Sequence, residues 1–311
     1  MAKIVKPDQL QVKIGITVLV YGTPGIGKTT LALSTNKSVL IDFDGGVGRV
    51  RPEYIKDTLQ IKSYQDFLDV IEDKTIDSYN TVVIDTVGKM LDYMSDWLIA
   101  TQPKNGQSNG QLTLQGYGVR KAEFNKILKL MTQKGKNVIF IAHETENKEG
   151  DITKIRPHVG GSSGSDLYKE LDLIGYMETI GNVRTISFNP SDRYYAKNSC
   201  ELPSPMTIKM LEQGDQNNFF ENEVIQKYLE KAEGRIKLQK AYNEVLKKFD
   251  EELEKVKDVD TANQFLEFAK AFPADSHVWA SKVLVTEKAT RKMVELGIIF
   301  NKNEGKYQSK V

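Results

Sequence analysis

Short apolar runs alternating with helically spaced stretches predict an α/β fold: a mainly parallel sheet flanked by helices, with a helical region after it. Two observations carry that expectation. The cores VLV, VLI, TVVI and VIFI of IGITVLVYG (14–22), SVLIDFD (38–44), YNTVVIDT (79–86) and KNVIFIAHE (136–144) are almost wholly apolar. Strands covered on both faces read this way. Between them, apolar residues recur three and four apart, as on one face of a helix.

Taken in order, the first strand ends in GTPGIGKTT and gives way to a helix opening at Lys28 and reaching Thr35. Ser63 stands as an N-cap before YQDFLDVIE (64–72). A helix over Lys89–Ala100 would turn Met90, Leu91, Met94, Trp97 and Leu98 to one side, and another over Arg120–Met131 would bury Phe124, Ile127, Leu128, Leu130 and Met131. NVRTISFNP (182–190) reads as a further strand. Segments 101–118 and 145–166 are long, polar and rich in Gly, Ser and Asn, the mark of functional loops. From about Glu221 the text becomes Lys/Glu-rich helix over 222–259, resuming at Phe265–Phe272 and Ser281–Leu296. The expected division is a core of residues 1–220 and a helical region of residues 221–311.

Composition narrows the setting. The 311 residues are 40% apolar and 27% charged, and 43 Lys and Arg nearly cancel 42 Asp and Glu, leaving a net charge of +1. Any surface for a polyanion must therefore be local. Cys200 is the one cysteine, which excludes an internal disulfide and suits a reducing cytoplasm. No apolar run has membrane-spanning length, so a soluble protein without a membrane partner is expected.

Chemistry enters at Gly22-Thr23-Pro24-Gly25-Ile26-Gly27-Lys28-Thr29, the pattern G-x-x-x-x-G-K-[ST] placed between a strand and a helix. Its glycines let successive backbone N–H groups turn inward on an anion. Lys28 would reach the β- and γ-phosphates of a nucleoside triphosphate, the Thr29 hydroxyl would ligate Mg²⁺, and Thr30 extends the cradle. Asp85, closing TVVID, is the second acid that a magnesium ion needs at a neighbouring strand tip. Asp42 and Asp44 alternate in VLIDFDGG and share a face; Asp44 either faces the attacking water or simply begins a D-G turn. His143 ends the next apolar run, where it can sense the γ-phosphate.

This order of motifs, Walker A, then IDFD, VVIDT and VIFIAH, resembles the RecA-like ATPase core over roughly residues 12–205. The resemblance implies a P-loop NTPase that binds ATP with Mg²⁺. It sets Asp44 where the family has its catalytic glutamate, Asp85 on the Walker B aspartate and His143 on the sensor glutamine. It narrows to phage ATP-binding proteins of RecA-like type acting in single-strand annealing and recombination, which share a YG…F segment (Tyr117, Gly118, Phe124) and an AHE-like strand end. It further implies two mobile loops on single-stranded DNA, with Lys104, Tyr117, Arg120, Lys121, Lys148, Lys154 and Arg156 as their contacts. A basic hairpin reaching a neighbouring subunit's γ-phosphate is implied at Lys197-Asn198, although Ser199 stands where that motif has arginine. Homo-oligomers, a replication or recombination partner and a location in the host cytoplasm follow from the same likeness. Shorter Asp44 and the histidine at 143 would make turnover slow. A nucleotide-gated scaffold, a helicase-loader-like ATPase and a small-molecule kinase are the alternatives; the kinase lacks an arginine-rich lid.

Overall fold

The computed structural model describes residues 15–149, 152–160, 168–271 and 279–310. The first strands and helices of the chain follow the expected alternation. Strand β1 (Thr17–Gly22) leads to α1 (Lys28–Ala32), then β2 (Ser38–Asp42), β3 (Asp57–Gln60), α2 (Tyr64–Glu72), β4 (Thr81–Asp85) and α3 (Val87–Thr101). Helix α4 (Leu114–Gln133), β5 (Asn137–Glu149), β6 (Ile152–Pro157), β7 (Leu173–Ile180), β8 (Val183–Ser187), β9 (Lys197–Asn198) and β10 (Met206–Ile208) complete the sheet region. The ten-stranded sheet runs β10-β8-β7-β1-β5-β4-β2-β3, with β6 on β5 and β9 on β7. All neighbours from β3 to β7 pair in parallel; β8, β10, β6 and β9 pair antiparallel.

Alternation along the central strands explains both layers. Leu19, Tyr21, Ile41, Ile84 and Phe140 point to a layer filled by Phe67 of α2, Met90 and Met94 of α3, and Phe124 and Ile127 of α4. Val18, Val20, Leu40, Val83, Ile139 and Ile141 point to the opposite layer, with Leu31 and Ala32 of α1 and Phe220, Val224 and Ile225. Each fully buried side chain of this size contributes about 1.5–3 kcal/mol. Ser63 caps α2 in a full capping box with Asp66, as its position implied. Thr86 and Thr113 accept from the first turns of α3 and α4.

Several expectations need correction. Segment 182–190 does supply a strand, but β8 runs antiparallel, because the tight Gly181 turn returns it against β7 as a hairpin. Strands β3 and β7 were not foreseen: DTLQ is too short and polar to read as a strand, and LIGYMETI hides behind a glycine. Segment 145–166 is not a free loop in its described part. Strand β5 continues past the apolar run and β6 folds back on it, so the polar text is a β-ribbon whose end at 161–166 lies outside the described residues. Helix α4 starts at Leu114, six residues earlier than Arg120, and shortens the other segment. Helix α1 ends at Ala32 rather than near Thr35.

A π-helical turn, Phe220–Gln226, belongs to the core through Phe220, Val224 and Ile225. The chain divides into a unit of residues 13–231 and one formed from Ala232 onward. The latter holds most of α5 (Lys227–Glu254), then α6 (Val259–Ala271), α7 (Trp279–Glu295) and an antiparallel pair, β11 (Ile298–Asn301) and β12 (Lys306–Ser309). Phe249, Leu253, Phe265, Ala289 and Met293 form its core. Residues 1–14 and Phe272, at the end of one expected helical stretch, lie outside the described residues. Among the described residues no helix is long and apolar enough to cross a membrane.

One polar clamp starts the sheet. The Thr17 N–H and hydroxyl both donate to Asp172 Oδ2, at 2.9 and 2.8 Å, and the Asp172 N–H returns to the Thr17 hydroxyl at 3.0 Å. This fixes the entry of β1 beside that of β7. Asp172→Ala should lower unfolding free energy by about 1–3 kcal/mol, since it strands the Thr17 donors; urea denaturation measures it.

Candidate functional site

Charge sits only where the buried strands end. The parallel register pairs Asp42 with Asp85, Asp85 with Ile141, and Gly22 with His143. In the alternation of their strands, Asp42, Asp85 and His143 follow Leu40, Val83 and Ile141, so all three turn toward the layer that holds α1. Burial in mid-strand would cost several kcal/mol per unpaired charge. At the tips these groups meet the turn that follows β1.

That turn is shaped by two glycines. A methyl group on Gly22 would lie 2.2 Å from the Met177 carbonyl oxygen, and Gly27 holds φ +96° as the residue before α1. Thr23, Pro24 and Gly25 are exposed while Ile26 is buried beneath them. Lys28 is 6% exposed, and its Nζ donates to the carbonyls of Gly22 at 2.9 Å and Thr23 at 2.8 Å. Burial pulls the ammonium pKa down, opposed by the negative charges of Asp85 and Glu144. Helix α1 has only five residues, so its dipole is small. The cradle therefore rests on N–H groups and Lys28 more than on the helix end.

The Thr29 hydroxyl donates to Asp85 Oδ2 at 2.7 Å. Burial raises the Asp85 pKa, the Thr29 hydrogen bond opposes it, and the charges of Asp42 and Asp44 add to the rise. A hydroxyl and a crowded carboxylate side by side are the hard oxygen donors that suit magnesium, which keeps most of its ligands as water and phosphate oxygen. Among the described residues no group of three or more His, Cys, Asp or Glu could hold a metal ion. Thr29 and Asp85 thus fit a magnesium ion carried in with a nucleotide.

Asp42 and Asp44 part company. Asp42 is buried and accepts from the N–H groups of Asp44, Gly46 and Val47, at 3.2, 3.1 and 3.1 Å. It folds the turn after β2. Asp44 is half-buried, and the Phe43 and Asp44 N–H groups donate to the Asp85 carbonyl at 2.7 and 3.3 Å. That ties the Asp44 backbone to the tip of β4. His143 feels Asp44 as well: burial and then Lys28 push its pKa down, with Asp44 opposing. The shift favours the neutral imidazole, and its Nδ1 is buried without a hydrogen-bond partner. His143 does not end its strand, because β5 runs six residues beyond it.

Glu144 escaped the sequence reading. It alternates to the other face of β5 from His143, its Oε2 is buried without a hydrogen-bond partner, and its charge acts on Lys28, Tyr21 and Tyr176. An acid directly behind four apolar strand residues and a histidine was the available signal.

Other predicted residues lie apart. Lys197 donates to the carbonyls of Lys169 at 2.9 Å and Tyr168 at 3.4 Å, while Asn198 bonds Asn189 and Leu202 within its own loop. Arg120 is withdrawn from any surface role. It is 6% exposed, donates to Ser95 Oγ and the Gly160 carbonyl at 3.1 and 2.8 Å, and lies 4.9 Å over the Tyr117 ring. Tyr117 itself is half-buried. Lys104 and Lys121 are exposed. On the ribbon, Lys154 and Arg156 face one way with Asn147 and Thr145, and Lys148 faces the other with Thr153.

Beside the turn opens a cavity of about 370 Å³, lined by Gly25, Gly27, Thr30, Arg49, Arg51, Tyr54, Arg184, Lys209, Leu211 and Asn217. Its walls are fastened: Asn217 Nδ2 donates to the Thr30 carbonyl at 2.8 Å, Arg51 to the Leu211 carbonyl at 3.0 Å and Tyr54 to the Glu212 carbonyl at 3.0 Å. This pocket has no local signature, since its wall comes from segments over 150 residues apart. The model of a protein family described as an AAA domain matches residues 14–200. No curated protein matches the chain.

Proposed function

Because the chain belongs to the AAA-domain family of P-loop NTPases, we propose that it binds ATP with Mg²⁺ at Gly22–Thr30 and hydrolyses it slowly. The observation that carries this is the 2.7 Å hydrogen bond from Thr29 to Asp85, made next to a buried Lys28 that bonds, among the described residues, the carbonyls of its own turn. A triphosphate in the cradle offers the Lys28 ammonium anionic oxygens in place of two neutral carbonyls, a stronger charge-assisted interaction. Thr29 and Asp85 would hold the magnesium ion, which when bound neutralises charge on the β- and γ-phosphates. The cavity beside Thr30 accepts the nucleoside.

Hydrolysis further needs a carboxylate that orients the attacking water. Asp44 serves that role, held half-buried by the Asp42 turn, and neutral His143 offers a hydrogen bond to the γ-phosphate end without adding charge. Lys28→Ala should abolish measurable ATP binding in titration calorimetry while the apo protein stays folded. Undiminished affinity in that variant contradicts the phosphate-loop assignment. Asp44→Asn should lower kcat about 100-fold or more with ATP affinity nearly kept; Glu144→Gln in the same assay separates the two carboxylates, with the smaller loss expected for Glu144.

The cellular role rests on the RecA-like order of motifs: action in DNA recombination or single-strand annealing, as a homo-oligomer, with single-stranded DNA on the ribbon and the α3–α4 connection. Lys148, Lys154, Arg156, Lys104 and Lys121 supply the phosphate contacts, with Lys197 reaching toward a neighbouring subunit. Arg120, being buried, drops out of that set, and Tyr117 stays in it as the stacking residue. Oligonucleotide affinity should fall about linearly in log–log with salt, at a slope near −0.7 per phosphate contact. Fluorescence anisotropy measures it, and a lack of binding at low salt contradicts the DNA role.

A further inference from the structure

We propose that Arg184 is a nucleotide-binding residue of this site, supplying in cis a guanidinium to the diphosphate of the bound nucleotide. The proposal rests on the phosphate-loop reading and extends it to a strand far along the chain. Arg184 lies on β8, opposite Thr179 of β7 and Ile208 of β10, remote in sequence from the loop it approaches. Its Nη1 stands 2.9 Å from where a methyl group on Gly27 would be, and its Cζ 3.5 Å. The guanidinium therefore lies over the last glycine of the loop, directly before Lys28, on the wall of the same cavity as Gly25 and Thr30.

Arg184 is also unspent. Its Nε is buried without a hydrogen-bond partner, whereas two other cations of the cavity are engaged, Arg51 on the Leu211 carbonyl and Lys209 on Asp215 at 2.9 Å. A planar fork of N–H donors with nothing to bind, beside a loop of backbone N–H groups, matches a phosphate diester-like group with oxygens on two sides. Gly27 admits this approach, because any side chain there would displace the guanidinium. The position beside Gly27, on the cavity side of Lys28, puts the charge where the polyphosphate leaves the loop toward the nucleoside. Diphosphate and triphosphate nucleotides should feel it alike. Lys28 by contrast reaches the γ-phosphate as well as the β-phosphate, so its loss should weaken the triphosphate more.

Titration calorimetry of ADP–Mg²⁺ and of a non-hydrolysable ATP analogue with Mg²⁺ tests the assignment on wild type, Arg184→Ala, Arg184→Met, Arg184→Lys and Lys28→Ala. Arg184→Ala and Arg184→Met should raise both Kd values by the same factor, about 10- to 100-fold, with Arg184→Lys in between. Arg184→Met keeps the aliphatic stem and decides the matter if the alanine variant does not fold. Wild-type affinity in Arg184→Met, or a loss confined to the triphosphate analogue, overturns the assignment. If that happens while Lys28→Ala loses the analogue, the phosphate-loop reading still stands; if wild type binds neither nucleotide, both fall.

Discussion

Parallel pairing of β2, β4, β5 and β1 in one register is the constraint on which the site depends. These strands are covered on both faces, so their interiors exclude charge and their ends collect it. With Asp42 opposite Asp85 and Gly22 opposite His143, the acids, the histidine and the lysine-bearing turn share one edge. A slip of one residue in β4 would turn Asp85 away from Thr29 and into the aromatic layer around Phe67 and Phe140. Packing on both faces forbids that slip. The site's geometry is thus secured by apolar side chains that never touch a ligand.

Much of this was legible because each strand carries its own chemistry at its tip. An apolar run with an acid or glycine at the end announces both the strand and the edge that matters. Asp85, Lys28, Thr29 and His143 were found in that way. Asp44 was separable from Asp42 only once the hydrogen bonds to Asp42 appeared, since alternation alone gives the two carboxylates the same face.

What the text concealed has physical causes. Polarity at 145–166 reads as loop, yet a two-stranded ribbon with exposed residues at 146–148 and 153 needs few apolar residues beyond Ile155, which packs on the core. Arg120 looked like a surface cation because its partners, the Ser95 hydroxyl and the Gly160 carbonyl, are distant in sequence and uncharged. The cavity wall made by Arg184, Lys209 and Asn217 is a tertiary product with no local pattern to betray it. Glu144 was overshadowed by the histidine before it.

Strand β5 is one strand from Asn137 to Glu149, pairing with β1 as far as His143 and with β6 from Glu144 onward. His143 and Glu144 sit at the point where it leaves the sheet. The strand thus joins the phosphate-loop groups to the exposed residues Glu146, Asn147 and Lys148. Binding on the ribbon would reach His143 and Glu144 along β5, while β6 is tied to the core through Ile155. Any preference the ribbon has for one tilt is, by reciprocity, a preference at the opposite end for one state of the nucleotide.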